Sequence, residues 1–141
     1  MSVLGTVVER LLAETGASRV TLRQEAPGDY GYPVTHEALA PGVESLTEER
    51  TVDLRTQPVV RELERGLQVV QNDSRAANHE QAFQQMLSTY GGLSAQIVTP
   101  ILRDERLVAI VSVHELRGPR VWTAEEIAAA ALAADEVKAQ L

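Results

Sequence analysis

Residues 93–116 read LSAQIVTPILRDERLVAIVSVHEL and carry the strongest structural signal in the chain. Two apolar runs, 95–102 and 107–113, flank the charged segment RDER. Apolar runs rich in β-branched residues and joined by a short polar turn are typical of an antiparallel β-hairpin. A Gly-Pro loop and the segment WTAEE follow, so a helix is predicted to begin after Thr123, with Glu126 completing a capping box.

The residues upstream of this hairpin predict an alternation of helices and strands. Apolar residues recur at helical spacing from Val3 to Leu12 and predict an amphipathic helix that ends at Gly16. The remaining predicted elements, in order, are a strand at 18–25, a loop at Ala26–Pro33, a weaker strand at 34–39, irregular chain at 41–53, a helix at Pro58–Arg65 with Thr56 as a possible cap, a strand at 67–71 and a helix at Glu80–Tyr90. This order predicts a single α+β domain over residues 1–141.

Composition excludes several classes of function. The chain has 141 residues, a net charge of −7 and no cysteine. An acidic balance argues against a nucleic-acid surface, which needs clustered Lys and Arg. No apolar stretch is long enough to span a membrane, and the first residues lack a signal-peptide pattern. We therefore expect a cytoplasmic protein without disulfides or thiol chemistry.

The order and spacing of several short segments resemble the GAF domain family. In the hairpin region these segments are Thr99-Pro100-Ile101, the RDER turn, Leu107–Ile110 and Trp122–Glu126. Upstream they are Thr15–Arg19 and Gly66–Val70, the latter just before Asn72-Asp73. The resemblance implies a small stand-alone GAF-domain protein with a central antiparallel sheet. Terminal helices would cover one face of that sheet, and short helices and loops would cover a ligand pocket on the other.

Strand alternation then divides the sheet residues between the two faces. Val20 and Leu22 on the first strand, and Ala109, Val111 and Val113 on the second hairpin strand, should face the terminal helices. The opposite rows place Thr21, Arg23, Ser112 and His114 on the pocket side. Because the family fold makes these two strands neighbours, the four polar residues are expected to form one patch. The first hairpin strand stays unassigned, with Gln96 and Val98 in one row and Ala95, Ile97 and Thr99 in the other.

Four further residues are candidates for the pocket wall. Phe83, Met86 and Tyr90 share one face of the predicted helix at 80–90, and Asp73 follows a strand where some family members approach the ligand. Structural alternatives stay open for most candidates. His114 could be a partly solvated structural residue, and Arg23 a surface residue near Glu25. Asp73 could serve only as a turn or capping residue, and the three helical residues as core packing.

No residue set in the sequence indicates an enzyme. Without cysteine, neither a thiol nucleophile nor covalent attachment of a bilin is available. His36, His79 and His114 lack metal-ligand spacing, and no nucleophile elbow or phosphate loop occurs. The Asn-Lys, Phe, Asp-Glu signature of the cyclic-nucleotide-binding members cannot be placed on this chain. We expect no catalytic residues and no metal site, and the sequence assigns no cofactor.

Two hypotheses of function follow. In the first, the protein is a sensory or regulatory GAF domain that binds a small polar or anionic metabolite. In the second, it is a ligand-free GAF module that acts by dimerisation or by binding a partner. In either case the apolar stripe of the first helix and the Ala-rich run 128–134 of the last predict a homodimer through the terminal helices. No nucleic-acid or membrane partner is expected.

Overall fold

The architecture was determined from a computed structural model, which describes residues 2–26 and 31–141. Within these residues, five strands form one antiparallel sheet in the order β2-β1-β5-β4-β3. They span Arg19–Gln24 (β1), Val34–Leu39 (β2), Val69–Gln71 (β3), Ala95–Arg103 (β4) and Arg106–Glu115 (β5). The predicted loop at Ala26–Pro33 lies partly outside the described residues, because Pro27–Tyr30 are not among them.

Five α-helices and one 3₁₀ turn surround the sheet within the described part of the chain. The helices span Val3–Thr15 (α1), Pro58–Glu64 (α2), Ser74–Ala77 (α3), Gln81–Thr89 (α4) and Ala124–Ala139 (α5), and the 3₁₀ turn spans Leu54–Thr56. The α+β class and the predicted order are thereby confirmed. The sequence missed α3 and the 3₁₀ turn, which are too short to show a periodic apolar pattern. Strand β3 is shorter than predicted and begins at Val69 instead of Leu67.

Local capping explains where the terminal helices begin and end. Gly16 adopts a left-handed conformation with φ 61° and stops α1, as predicted. At α5, Thr123 accepts a hydrogen bond from the backbone of Glu126, whose carboxylate accepts one from the backbone of Thr123. The predicted capping box is therefore confirmed. By contrast, the N-cap of α2 is Gln57, so the expectation of Thr56 as its cap is wrong.

The hairpin β4–β5 is the longest pairing in the sheet. Arg103 pairs with Arg106, which leaves Asp104 and Glu105 as the two central residues of the turn. Both have positive φ, 52° and 64°, the conformation that a type I′ turn requires. That turn matches the right-handed twist of the two strands, but it forces two residues with Cβ atoms into the left-handed region.

Replacing Glu105 with glycine is expected to raise the free energy of unfolding by about 0.5–1 kcal/mol. Glycine reaches φ 64° without the Cβ clash, and this gain exceeds its larger entropy loss on folding. Urea denaturation monitored by circular dichroism measures the change. Glycine at Ser88, which is exposed on α4, is the control and should instead lower stability by a similar amount. An unchanged or lower midpoint for Glu105→Gly contradicts the explanation.

Each face of the sheet carries its own apolar cluster. The face toward α1 and α5 is built on Val20, Leu22, Ala109, Val111 and Val113, all as alternation predicted. The sheet residues Ala95 and Ile97 belong to the same cluster, which settles the orientation that sequence left open. The other face packs against a cover layer, defined here as residues 40–66 and 74–94. Its buried cluster contains Leu46, Leu54, Val59, Val60, Leu63, Phe83, Met86, Leu87, Tyr90 and Leu93.

A buried carboxylate joins the end of β5 to both terminal helices. The side chain of Glu115 is only 4% exposed and accepts hydrogen bonds from Ser18 Oγ (2.7 Å), Arg117 Nε (2.8 Å) and Arg120 Nη1 (2.9 Å). Arg117 also donates to Gly16 O at the end of α1, and Arg120 pairs with Glu126 at the start of α5. We call Glu115 with its three donors the carboxylate clasp.

Candidate functional site

Three alternating residues of β1 face the cover layer, each paired with a residue of β5. In register these pairs are Arg19 with His114, Thr21 with Ser112 and Arg23 with Ile110. All six side chains are buried. The polar patch predicted from alternation is therefore assembled on one face, and it includes Arg19, which the sequence reading missed.

Arg19 and His114 form the centre of this patch. The guanidinium of Arg19 is 1% exposed and donates from Nε (3.0 Å) and Nη2 (2.9 Å) to Nδ1 of His114. Its other hydrogen bonds go to the carbonyl oxygens of Glu44 (3.1 Å) and Tyr90 (2.8 Å). Because Nδ1 accepts, His114 is neutral and carries its proton on Nε2. Burial, and then the charges of Arg19 and Arg23, lower the pKa of His114 well below 6.5.

Arg23 continues the patch toward the edge of the cover layer. It donates to the carbonyl oxygen of Tyr32 (3.0 Å) and to the hydroxyl of Tyr90 (3.2 Å), with its guanidinium carbon 5.6 Å from the centre of the Tyr90 ring. That ring also stacks on His114, with centroids 5.9 Å apart. Burial raises the pKa of Tyr90, so its hydroxyl stays protonated. The predicted alternative of a surface Arg23 beside Glu25 is wrong, because Arg23 is buried and Glu25 pairs with Arg106 instead.

Neither buried arginine has a carboxylate partner among the described residues. No carboxylate oxygen of residues 2–26 or 31–141 lies within 4.0 Å of either guanidinium, and their acceptors are neutral. Glu37 and Glu44 act on Arg19 only at longer range. Burial dominates and lowers the pKa of Arg19 to about 10, which leaves it charged at neutral pH. Among the described residues, the two guanidinium groups therefore carry buried positive charge without a directly bonded carboxylate, and Glu49, which lines a hollow beside Arg23, acts on Arg23 only at longer range.

Two spaces meet at Arg23. The first, here the inner cavity, lies between the sheet and the cover layer and measures about 30 Å³. Its polar lining consists of Arg23, Gln57, Tyr90, Gln96, Ser112 and His114, and its apolar lining of Leu54, Val59, Val60, Leu63, Met86, Val98 and Ile110. The second, here the outer hollow, measures about 200 Å³ and is lined by Arg23, Gly31, Pro33 and residues 49–53. Arg23 lines both, so its side chain stands between them.

A family model for the GAF domain matches residues 2–141, nearly the whole chain. The chain belongs to the GAF family. Solved GAF structures share the fold at low sequence identity. The GAF domain of the cyanobacteriochrome TePixJ is 19% identical with a TM-score of 0.81, and the match covers 97% of this chain and 85% of that one. No curated protein matches the chain.

Two further solved structures resemble this GAF domain. The third GAF domain of Slr1393 from Synechocystis sp. PCC6803 is 18% identical with a TM-score of 0.76, covering 98% of this chain and 92% of that one. The chromophore-binding domain of the bacteriophytochrome RpBphP3 from R. palustris is 20% identical with a TM-score of 0.79. That match covers 97% of this chain and 52% of the larger domain. At such identities the likeness establishes the shared fold.

The GAF fold brings five of the eight predicted site residues to the inner cavity. Arg23, Met86, Tyr90, Ser112 and His114 line it. Thr21 is buried beside Ser112, but its hydroxyl has no hydrogen-bond partner and it is not part of the cavity lining. Phe83 is fully buried in the apolar cluster of the cover layer and does not line the cavity.

Asp73 lies apart from the other candidates in this GAF domain. It is exposed, precedes the short helix α3 and makes no side-chain capping bond. A surface groove surrounds it, lined also by Arg75, Ala76, Gly92, Ser94, Gly118 and Pro119. The fold therefore does not bring Asp73 to the inner cavity.

Three polar residues of the site were not predicted from the sequence. Arg19 was missed although it lies two positions before Thr21, so the same alternation could have found it. Gln96 belonged to a strand whose faces had not been assigned. Gln57 precedes Pro58 in an irregular segment, where no periodic pattern shows which way a side chain points. Its amide nitrogen donates to Ala82 O (3.3 Å), and its oxygen has no partner.

Residues 2–26 and 31–141 contain no group of three or more His, Asp or Glu residues arranged to hold a metal ion. In the same ranges, no helix is long and apolar enough to cross a membrane.

Proposed function

We propose that this GAF domain is a non-catalytic sensory module that binds a small polar or anionic metabolite. The observation that supports it most is the pair of buried arginines, Arg19 and Arg23, without a carboxylate partner among the described residues. A buried charge is costly unless it is paired, so proteins keep such groups where an anion is bound. A sensory role also agrees with the chromophore-binding domain among its structural neighbours.

In this proposal Arg23 holds the anionic group of the ligand. Arg19 has four hydrogen bonds and is enclosed, whereas Arg23 has two and borders the outer hollow. The planar guanidinium can bind a carboxylate or phosphate through two parallel hydrogen bonds. A ligand at Arg23 would compete for the bonds to Tyr32 and Tyr90. Because Tyr90 ends α4, binding would shift the equilibrium position of the cover layer.

Replacing Arg23 with glutamine is expected to weaken binding of an anionic ligand by roughly 30-fold or more, since a charge-assisted bidentate contact contributes about 2 kcal/mol or more. A thermal-shift screen against metabolites and nucleotides identifies the ligand, and calorimetry measures the loss. Arg61→Gln is the matched control, because Arg61 pairs with Glu80 on the surface and lines neither space. Equal weakening in both variants, or none in Arg23→Gln, contradicts the role of Arg23.

A second candidate is a ligand-free GAF module that acts through association. The small inner cavity favours it, because about 30 Å³ holds little more than a water molecule, whereas typical ligand pockets measure roughly 300–1,000 Å³. The same thermal-shift screen separates the two candidates. A screen in which no compound raises the melting temperature favours association, and a saturable increase favours the sensor.

For either candidate we propose a homodimer through α1 and α5. Val3 on α1 is 54% exposed and Leu132 on α5 is 60% exposed, and the two helices pack side by side. Light scattering at micromolar concentration is expected to give the mass of a dimer. Leu132→Glu should shift that mass to a monomer, and Val121→Glu, in the loop before α5, should not. A monomer mass for the unaltered chain refutes the proposal.

The remaining parts of the proposal concern partners and location. The net charge of −7 supports the absence of a nucleic-acid partner. We also propose a cytoplasmic protein with no membrane partner and no catalytic turnover. Turnover lost in His114→Ala would contradict the last of these.

A further inference from the structure

The outer hollow is lined by charged residues of both signs. Arg23 and Arg50 carry the positive charges, and Glu49 and Asp53 carry the negative ones. Among residues 2–26 and 31–141, the lining contains no other ionisable side chain, so its formal charges cancel. A ligand with only one sign of charge would be attracted by one pair and repelled by the other. The lining therefore favours a ligand that itself carries both signs.

Glu49 supplies a carboxylate with a fixed position. It accepts hydrogen bonds from the backbone nitrogens of Thr51 (2.7 Å) and Val52 (3.4 Å) and from the hydroxyl of Thr51. Burial alone would raise the pKa of Glu49, but these hydrogen bonds outweigh it and lower the pKa, so the group is charged at neutral pH. A carboxylate has about four acceptor positions, which leaves room for a further donor.

Arg23 supplies the opposite charge and keeps bonding capacity of its own. Its side chain is buried and donates to the carbonyl oxygen of Tyr32 and the hydroxyl of Tyr90, so most of the five N–H groups of the guanidinium have no acceptor in the described chain. Its nitrogens also lie more than 4.0 Å from the carboxylate oxygens of Glu49. Glu49 cannot close this gap without breaking its own hydrogen bonds. The two charges therefore line one hollow without pairing.

The other two charged residues of the hollow are less available. Asp53 pairs with Arg55 at 3.4 Å, and Arg50 donates to the carbonyl oxygens of Thr47 (2.8 Å) and Glu49 (3.1 Å). The volume of the hollow, about 200 Å³, equals the share of about six or seven water molecules in the liquid. A ligand of that size has room for two charged groups and a short carbon chain between them.

We propose that the outer hollow binds a small amino acid or a similar zwitterion, with its carboxylate on Arg23 and its ammonium group on Glu49. This inference rests on the proposed ligand-binding function and names the class of the ligand. The guanidinium can hold the carboxylate through two parallel hydrogen bonds. The ammonium group donates to the free acceptor positions of Glu49 and completes the bridge between the two charges.

Nuclear magnetic resonance titration of the full chain tests the class of ligand. The probes are glycine, β-alanine and 4-aminobutanoate, which differ only in the separation of their charges. At least one of them is expected to bind about tenfold or more tightly than acetate, butanoate, methylammonium and butylammonium, because each of these lacks one charge-assisted contact. If no zwitterion binds more tightly than these singly charged probes, the inference is wrong.

Glu49→Gln separates ligand contact from damage to the fold. The amide keeps an acceptor oxygen for Thr51 and Val52 but removes the charge. It is expected to weaken binding of the best zwitterion about tenfold. Binding of acetate should become tighter, because a repelling charge is lost. Glu48→Gln is the matched control, since Glu48 is exposed, does not line the hollow and should leave both affinities unchanged.

The two affinities together decide the outcome. Weaker binding of both probes in Glu49→Gln, or an unchanged affinity for the zwitterion, overturns the contact with Glu49. If acetate binds, Arg23→Gln abolishes that binding and no zwitterion binds more tightly, only this inference is lost. If neither anions nor zwitterions bind at Arg23, the proposed function is lost as well.

Discussion

Replacement of Glu115 by alanine is expected to lower the free energy of unfolding by about 3–5 kcal/mol, the usual cost of removing one member of a buried ion pair. Ser18, Arg117 and Arg120 all donate to this carboxylate. Its removal takes away the acceptor that these three donors share, and with it the link through the two arginines from β5 to the end of α1 and the start of α5. The effect should therefore exceed that of any surface ion pair in the described chain.

Urea denaturation at neutral pH measures this loss. Glu14→Ala is the control, because Glu14 pairs with Arg10 on the exposed face of α1 and should cost about 0.5 kcal/mol or less. A loss below about 1 kcal/mol for Glu115→Ala, near the range expected for the control, would falsify the structural role of the carboxylate clasp.

The same residue predicts how stability depends on pH. Burial alone would raise the pKa of Glu115, but hydrogen bonds from Arg117, Ser18 and Arg120 outweigh it and hold the pKa well below 4.5. The unfolded chain therefore binds this proton more readily than the folded chain, so stability falls as pH drops below about 4.5. Glu115→Gln, which cannot ionise, should lose less stability over that range than the unaltered chain. Parallel stability curves for the two proteins argue against this assignment.

Replacement of Phe83 by alanine is expected to lower the free energy of unfolding by about 3–5 kcal/mol, the cost of emptying a fully packed aromatic site. Phe83 lies on α4, and its side chain is completely buried in the apolar cluster of the cover layer. Phe83→Leu keeps most of the volume and should cost less than about half as much. Thermal and urea unfolding measure both variants, with Leu67→Ala on the exposed chain before β3 as a near-neutral control.

This prediction also separates packing from ligand contact. Because Phe83 does not line the inner cavity, Phe83→Leu should change ligand affinity less than a change at Met86, which does line it. A larger affinity loss for Phe83→Leu than for Met86→Ala would place Phe83 at the ligand after all.

Local patterns were sufficient to predict most of the elements and the two faces of strands β1 and β5. The hairpin β4–β5, the capping box at Thr123 and the helix stop at Gly16 each depend on residues close in sequence. Alternation with period two predicted that Val111 faces the helices and Ser112 faces the cover layer. The burial of both faces specifies this arrangement, since a slip of one residue would reverse every side chain. Once β1 and β5 are known to be neighbours, alternation places Thr21 and Ser112 on the same face, and the observed register pairs them directly.

What the sequence determined by itself was therefore the order of elements and the direction of side chains on β1 and β5. Only the tertiary structure decided what those side chains meet. Arg19 is an ordinary charged residue in sequence, and it is buried because Glu44 and Tyr90, far along the chain, supply carbonyl oxygens above it. Gln57 faces the cavity because α2 and α4 pack over the sheet. Burial and partner choice depend on contacts between distant segments, and no local pattern encodes them.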